Sequence, residues 1–228
     1  MIVQTQTTRP PQAAKVADAK VEISIFADCP DVIGVGSIYQ QNEEIYGEGE
    51  LADQVYKVLR GVVRTYKLLD DGRRQIAAFY FPGDIFGLEP GENYSATAEA
   101  VVIAQVAVFQ RRQIHAAASS SIEVARELWS RAAQNLHHAE SHMLLLGRKT
   151  ALERVEAFLV EMSQRSQRSG HVNLPMSRRD IADYLGLTLE TVSRTLSQLQ
   201  SEGGLQLSGA RRIELRSRKL MGAMATAA

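Results

Sequence analysis

Residues Leu174 to Gln200 read LPMSRRDIADYLGLTLETVSRTLSQLQ, and these residue types predict two short helices joined by a tight turn. Pro175 ends whatever precedes it. Ser177 is a good N-cap, and Asp180 follows at the capping-box spacing. Ile181, Ala182 and Leu185 then share one apolar face. Gly186 can take a positive φ at the turn, where a side chain would cost energy. Thr188 is a second N-cap, and Glu190 lies close behind it near the positive end of the next helix. Val192, Leu196 and Leu199 form the second apolar face. Glu190, Thr191, Ser193, Arg194 and Ser197 are left pointing outward.

The pattern is that of a helix-turn-helix. Small Ala182 lets the helices approach, Gly186 makes the turn, and Val192 closes the small core. An ordinary αα-hairpin would share these apolar positions. The polar set favours DNA. Glu190 can accept a hydrogen bond from cytosine N4, and Arg194 can donate two to guanine O6 and N7. Their spacing puts both on one helix face, as a major-groove reader requires.

Downstream, Gly203-Gly204 turns the chain. Leu205, Leu207, Ile213 and Leu215 alternate around Ser208-Gly209-Ala210-Arg211-Arg212, which reads as a small β-wing with two arginines at its tip. Arg178, Arg179, Arg211 and Arg212 are candidate phosphate contacts, with Ser177, Thr188 and Thr191 as further ones. The safer role for Ser177 is the cap. The tail from about Ser217 is expected to fray.

Upstream, Gln164 to Asn173 is polar and reads as a loop. Thr150 to Ser163 is helical, with Leu152, Val155, Phe158, Leu159 and Met162 on its apolar face. Before it, Ile122, Trp129, Leu136 and Met143 recur every seven residues, and Ala125, Ala132, Ala139 and Leu146 fill the other heptad position. Such a seam of small residues suits close approach of a second copy, and predicts a homodimerisation helix. A single amphipathic helix packed on its own barrel is the alternative. A second strip, Val124, Leu128 and Leu145, could face that barrel, so both readings can hold. His137, His138 and His142 lie on this helix. His138 and His142 are an i, i+4 pair, but no further metal ligands accompany them, and no metal site is expected.

From about Ile38 to Phe109 short apolar runs alternate with turns such as Gly47-Glu48-Gly49, Asp70-Asp71-Gly72 and Pro82-Gly83-Asp84. This spacing predicts an all-β sandwich or barrel, with a hairpin at Asp71-Gly72. Residues Met1 to about Lys20 are rich in Gln, Thr, Ala and Pro and read as a flexible arm.

The whole chain has 228 residues, 45% hydrophobic, with 26 basic and 26 acidic side chains. It has enough apolar residues for a real core and is no bulk polycation, so DNA affinity must come from local clustering of charge. Arginines crowd the last quarter. The one cysteine, Cys29, excludes an intramolecular disulfide or a cysteine-ligated cluster within one chain. It reads as a small buried hydrophobe, or less plainly as a redox handle. Neither a membrane span nor a secretory signal is visible, so the cytoplasm is the expected compartment. An enzyme is not expected: the strand region holds no His for a cupin-type metal site, and no Gly-x-Ser-x-Gly motif occurs.

A β-roll, a long helix and a winged helix-turn-helix, in this order over about Ile38 to Leu215, resemble the CRP/FNR superfamily of bacterial transcription regulators. Within it, ETVSR at Glu190 to Arg194 and the wider SRRDIADYLGLTLETVSRTLSQL are similar to the FixK type. Taken with the residue patterns, the expected division is an α+β chain: a flexible arm at 1–20, a jelly roll at 21–118 that the resemblance makes cyclic-nucleotide-binding-like, a dimerisation helix at 119–147 and a winged helix-turn-helix DNA-binding unit at 148–228. It also implies a homodimer on double-stranded DNA at a palindrome with TTGA-type half-sites, contact with RNA polymerase, and activation. Glu190, Ser193 and Arg194 would read bases.

The departures concern the ligand. Nucleotide-binding members carry a Gly-Glu pair and then Arg-Ser or Arg-Thr about ten residues later. Here the matching segment, Gly83 to Ala100, is GDIFGLEPGENYSATAEA, with Leu88 at the Glu position and Tyr94 at the Arg position. A cyclic phosphate lacks its cation there, and Glu89 and Glu92 would repel it. The expected reading is therefore a regulator without a small-molecule cofactor. The alternative is a sensor of the same fold with an unrecognised effector in the roll.

Overall fold

The computed structural model describes residues 23–25, 32–165, 171–209 and 211–216. The expectations for the arm, for Cys29 and for the tail beyond Ser217 lie outside these residues.

The described residues begin with nine short strands: β1 (Ile23–Ser24), β2 (Ile33–Tyr39), β3 (Glu44–Tyr46), β4 (Gln54–Arg60), β5 (Val63–Leu68), β6 (Arg74–Tyr80), β7 (Ile85–Phe86), β8 (Thr97–Ala100) and β9 (Ala104–Gln110). They form two antiparallel sheets, ordered β1-β2-β9-β4-β7 and β3-β8-β5-β6. Between the sheets lie Tyr39, Tyr46, Tyr56, Val58, Val63, Phe86, Tyr94 and Val106, all buried. Each such apolar side chain contributes about 1.5–3 kcal/mol on burial. The β5–β6 hairpin closes at Asp71-Gly72 as its turn residues predict, with Gly72 at φ 81°. The β4–β5 turn needs glycine for two reasons. Gly61 has φ 80°, and a Cβ there would run into the backbone carbonyl of Ile103.

Two helices follow where one was expected to begin near residue 119. The first, α1 (Arg111–Ser120), ends at Ser121, which leaves helical geometry at φ −130° and ψ 122° and caps the second, α2 (Ile122–Arg148), by accepting from the Val124 amide. Residues 119 and 120 thus finish α1. The strip predicted to face the roll divides. Val124 and Leu128 pack against Ile25, Val32, Val55 and Phe109, whereas Leu145 packs against the cluster that contains the C-terminal unit. After Lys149, Thr150 and Glu153 form a capping box that starts α3 (Ala151–Gln164).

The C-terminal unit comprises β10 (His171–Asn173), α4 (Arg178–Leu185), α5 (Leu189–Ser201), β11 (Leu205–Leu207) and β12 (Arg212–Leu215). The end of the expected loop at 164–173 is therefore a strand. Val172 faces Ile213 across the β10–β12 ladder and is buried, and no local signal in HVN foretells a partner forty residues away. The three strands form one sheet, β10-β12-β11. The core of this unit is continuous with the roll: Ile76 and Phe79 belong to the same cluster as Phe158, Tyr184, Leu185 and Leu196.

Candidate nucleic-acid interface

The two helices of the reading unit are held by their own caps. The Ser177 hydroxyl accepts from the Asp180 amide at 3.1 Å, and the Asp180 carboxylate accepts from the Ser177 amide at 3.0 Å. Gly186 ends α4 in the left-handed region at φ 60° and ψ 41°. The Thr188 hydroxyl accepts from the Thr191 amide at 3.1 Å and starts α5. Val192, Thr195, Leu196 and Leu199 are buried against α4 and α3.

The opposite face of α5 is exposed. Glu190 and Arg194 both project there, one turn apart. Its own amide and the Thr188 hydroxyl hold the Glu190 carboxyl below the usual range, so it is an anion ready to accept. Ser193 is half-buried and receives a long hydrogen bond, 3.4 Å, from Arg178 Nη1. Thr191 is half-buried. Arg179 at the start of α4 and Arg211 and Arg212 on the wing are exposed, and Thr188 is exposed at the turn. The hydroxyl of Ser177 is taken up by its cap and by the Asp180 carboxylate at 2.8 Å.

Several residues that organise this unit lie far from the motif. The last carbonyls of α4 have no helical partner, and three different elements satisfy them. The Tyr184 carbonyl accepts from Gln75 Nε2 of β6 at 3.2 Å and faces His142 Nε2 of α2 at 2.8 Å. The Leu185 carbonyl accepts from Arg154 of α3 at 2.9 Å, and the same guanidinium caps the Leu146 carbonyl near the end of α2 at 2.7 Å. Along α4, Asp180 in its first turn and Asp183 one turn on pair with Arg64 and Arg74 of the roll. An arginine between apolar neighbours in VVRTY was the one hint of such a buried partner.

On α2, the seam residues Ile122, Trp129, Leu136 and Met143 are exposed, Trp129 at 77%. Ala132 and Ala139 are also exposed, while Ala125 and Leu146 are half-buried. The histidines do not converge on one point. His137 is exposed, whereas His138 and His142 both turn to Tyr184, His138 Nε2 lying 3.3 Å from its hydroxyl.

The interior of the roll is filled with rings. Tyr94, at the position where a nucleotide-binding member has its arginine, stacks on Tyr46 at 3.7 Å and donates to the Gln54 carbonyl at 2.8 Å. Tyr56 and Phe86 stack beside them at 5.0 Å. Burial pushes the phenols of Tyr46, Tyr56 and Tyr94 up, so all three stay neutral. Leu88 packs against the outer cluster. Arg111 donates to the carbonyls of Glu89 and Gly91 at 2.7 and 2.6 Å, tying that loop to the start of α1.

A two-sheet roll, a long helix with an open apolar seam and a winged helix-turn-helix define a DNA-binding regulator. Residues 153–224 match a Crp-like helix-turn-helix domain, and residues 37–121 match a cyclic nucleotide-binding domain. The nitrogen fixation regulation protein FixK of Azorhizobium caulinodans is 46% identical over 83% of this chain and 78% of its own. Its Rhizobium meliloti counterpart is 44% identical over 78% of this chain and 81% of its own. The structure of FixK2 from Bradyrhizobium japonicum superposes with a TM-score of 0.81 at 54% identity, covering 85% of this chain and 98% of that one. The chain belongs to the CRP/FNR family of transcription regulators, as a member of the FixK type. It is a FixK-like activator rather than an enzyme. No helix among the described residues is long and apolar enough to cross a membrane.

Proposed function

We propose that the protein is a homodimeric activator that reads a palindromic TTGA-type site and contacts RNA polymerase without a small-molecule cofactor. The observation that carries the reading is the exposed face of α5, where anionic Glu190 and cationic Arg194 stand one turn apart while the other face is buried. Arg178, Arg179, Arg211 and Arg212 then serve the phosphates, with Thr188 and Thr191 at the start of α5, while the donors of Ser177 are committed to its cap. The seam from Ile122 to Leu146 is the surface a second copy covers, since α2 spans roughly 40 Å at 1.5 Å per residue and leaves its largest apolar side chains open. Cofactor independence is supported by the ring-filled roll and by Tyr94 in place of a phosphate-binding cation. The test is fluorescence anisotropy on a TTGA palindrome and a scrambled duplex at several salt concentrations, with no additive. Tight, selective binding is expected. Binding equal on both duplexes would refute the site.

One observation favours a second reading, an effector-gated sensor. A cleft of about 240 Å³ lies between β6, α2 and Arg165 just beyond α3, and Thr65, Arg131 and His138 are among its other lining residues. Selective binding only after a cell-derived small molecule is added would support it.

A further inference from the structure

The contact between the roll and α4 is more than two surfaces touching. Asp180 is buried and serves two structures at once. One carboxylate oxygen closes the capping box of α4, and the other accepts from Arg64 Nη1 at 3.0 Å and Arg74 Nη2 at 2.6 Å. Arg74 reaches one turn further, to Asp183, through Nε at 2.9 Å. Arg64 is itself fixed from behind by Glu99 at 2.6 Å and by Asn42 at 3.0 Å. The two arginines come from neighbouring strands, β5 and β6, whose backbones are hydrogen-bonded to each other.

We propose that Arg64 and Arg74 are positioning residues for DNA recognition: through Asp180 and Asp183 they set the angle at which the helix-turn-helix leaves the body of the protein. The proposal rests on the reading that α5 enters the groove. Burying ion pairs gains little stability over apolar packing. What planar guanidinium forks do provide is direction. Three hydrogen bonds from two strands to one face of α4 fix the direction of that helix. Helix α5 moves with α4, because the Leu187 amide bonds to the Ala182 carbonyl at 3.0 Å and both helices share one core. In a dimer each copy carries one such reader. The separation of the two α5 helices must match half-sites one helical turn apart, so a small tilt of α4 is doubled into a mismatch of spacing. The device needs no ligand, since every group in it is part of the chain.

The test uses the full chain and duplexes that the wild-type protein itself selects from a random pool, so no half-site sequence is assumed. Arg74→Ala and Asp183→Ala are made singly and together, with Arg64 left in place to keep a cation beside Asp180. Each single variant is expected to lose roughly five- to a hundredfold in affinity for the selected palindrome. Each should keep wild-type affinity for an isolated half-site, and should tolerate one inserted base pair that the wild type rejects. The double variant should lose little more than Arg74→Ala alone, because Asp183 acts through Arg74, whereas Asp183→Ala alone keeps the Arg74–Asp180 bond and should lose less. Arg74→Lys, which keeps the charge without the fork, should recover part of the spacing preference, and it carries the comparison if Arg74→Ala fails to fold. Variants as strict about spacing as the wild type, or half-site binding that falls in step with the palindrome, would overturn the positioning role. A pool with no enriched sequence would remove the DNA-reading assignment, and this role with it.

Discussion

His142 lies flat on Tyr184, with ring centroids 4.1 Å apart and planes 9° apart, and its Nε2 stands 2.8 Å from the Tyr184 carbonyl oxygen. One residue is on the long helix α2 and the other on the first helix of the reading unit. Burial, chiefly, holds the imidazole below its ordinary 6.5; neighbouring His138 acts in the same direction and the carbonyl in the opposite one. The folded protein therefore binds this proton less readily than the unfolded chain. The stability from a neutral His142 is complete above pH 6.5 and declines as pH falls below it toward the depressed folded value. Thermal midpoints measured on either side of pH 6.5 should show this decline, and His142→Gln should flatten it. A profile unchanged by the substitution would mean that other groups set the acid response.

Arg194 and Arg212 should behave differently on DNA. Arg194→Ala should cost about 1–3 kcal/mol on the specific site and relax choice at the guanine it reads. Arg212→Ala should weaken all sequences alike and reduce the salt slope by about 0.9. Binding titrations of both variants on specific and random duplexes separate the two roles. Equal loss on both duplexes for Arg194→Ala would remove its base-reading assignment.

The open seam of α2 should be what holds two copies together. Trp129 and Leu136 are 77% and 61% exposed in the single chain, and each projects from the same side. Leu136→Glu should place two carboxylates against each other across a parallel seam. Sedimentation should then show monomers where the wild type gives dimers. A dimer that survives both Leu136→Glu and Trp129→Glu would place the interface elsewhere.

The ring cluster in the roll should leave cyclic nucleotides without effect. A ligand present at one hundred times its dissociation constant would stabilise the fold by about 2.7 kcal/mol. Adding a cyclic nucleotide should leave the midpoint where it is. Tyr94→Ala should destabilise the roll by about 3–5 kcal/mol, as large aromatic truncations do. A midpoint that rises with cyclic nucleotide would show that the rings move aside.

What could be read in the one-dimensional sequence was whatever depends on near neighbours. Ser177, Asp180, Gly186 and Thr188 specify caps and a left-handed turn within a few residues of themselves, so the reading unit was legible. Asp71-Gly72 fixed a hairpin for the same reason, and the seven-residue recurrence from Ile122 to Met143 marked a helix face. Tyr94 at a cation's position was visible as a departure, though not that its ring would stack on Tyr46. Tertiary structure alone decided what happens between residues distant in the chain. Arg64 meets Asp180 across 116 positions, Gln75 and His142 converge on one carbonyl of α4, and His171–Asn173 becomes a strand because β12 offers it an edge. The difference is physical. A cap or a turn is a short-range minimum of the backbone, whereas a buried ion pair or an added strand exists only once the fold has brought its partner and excluded the water that would otherwise satisfy it.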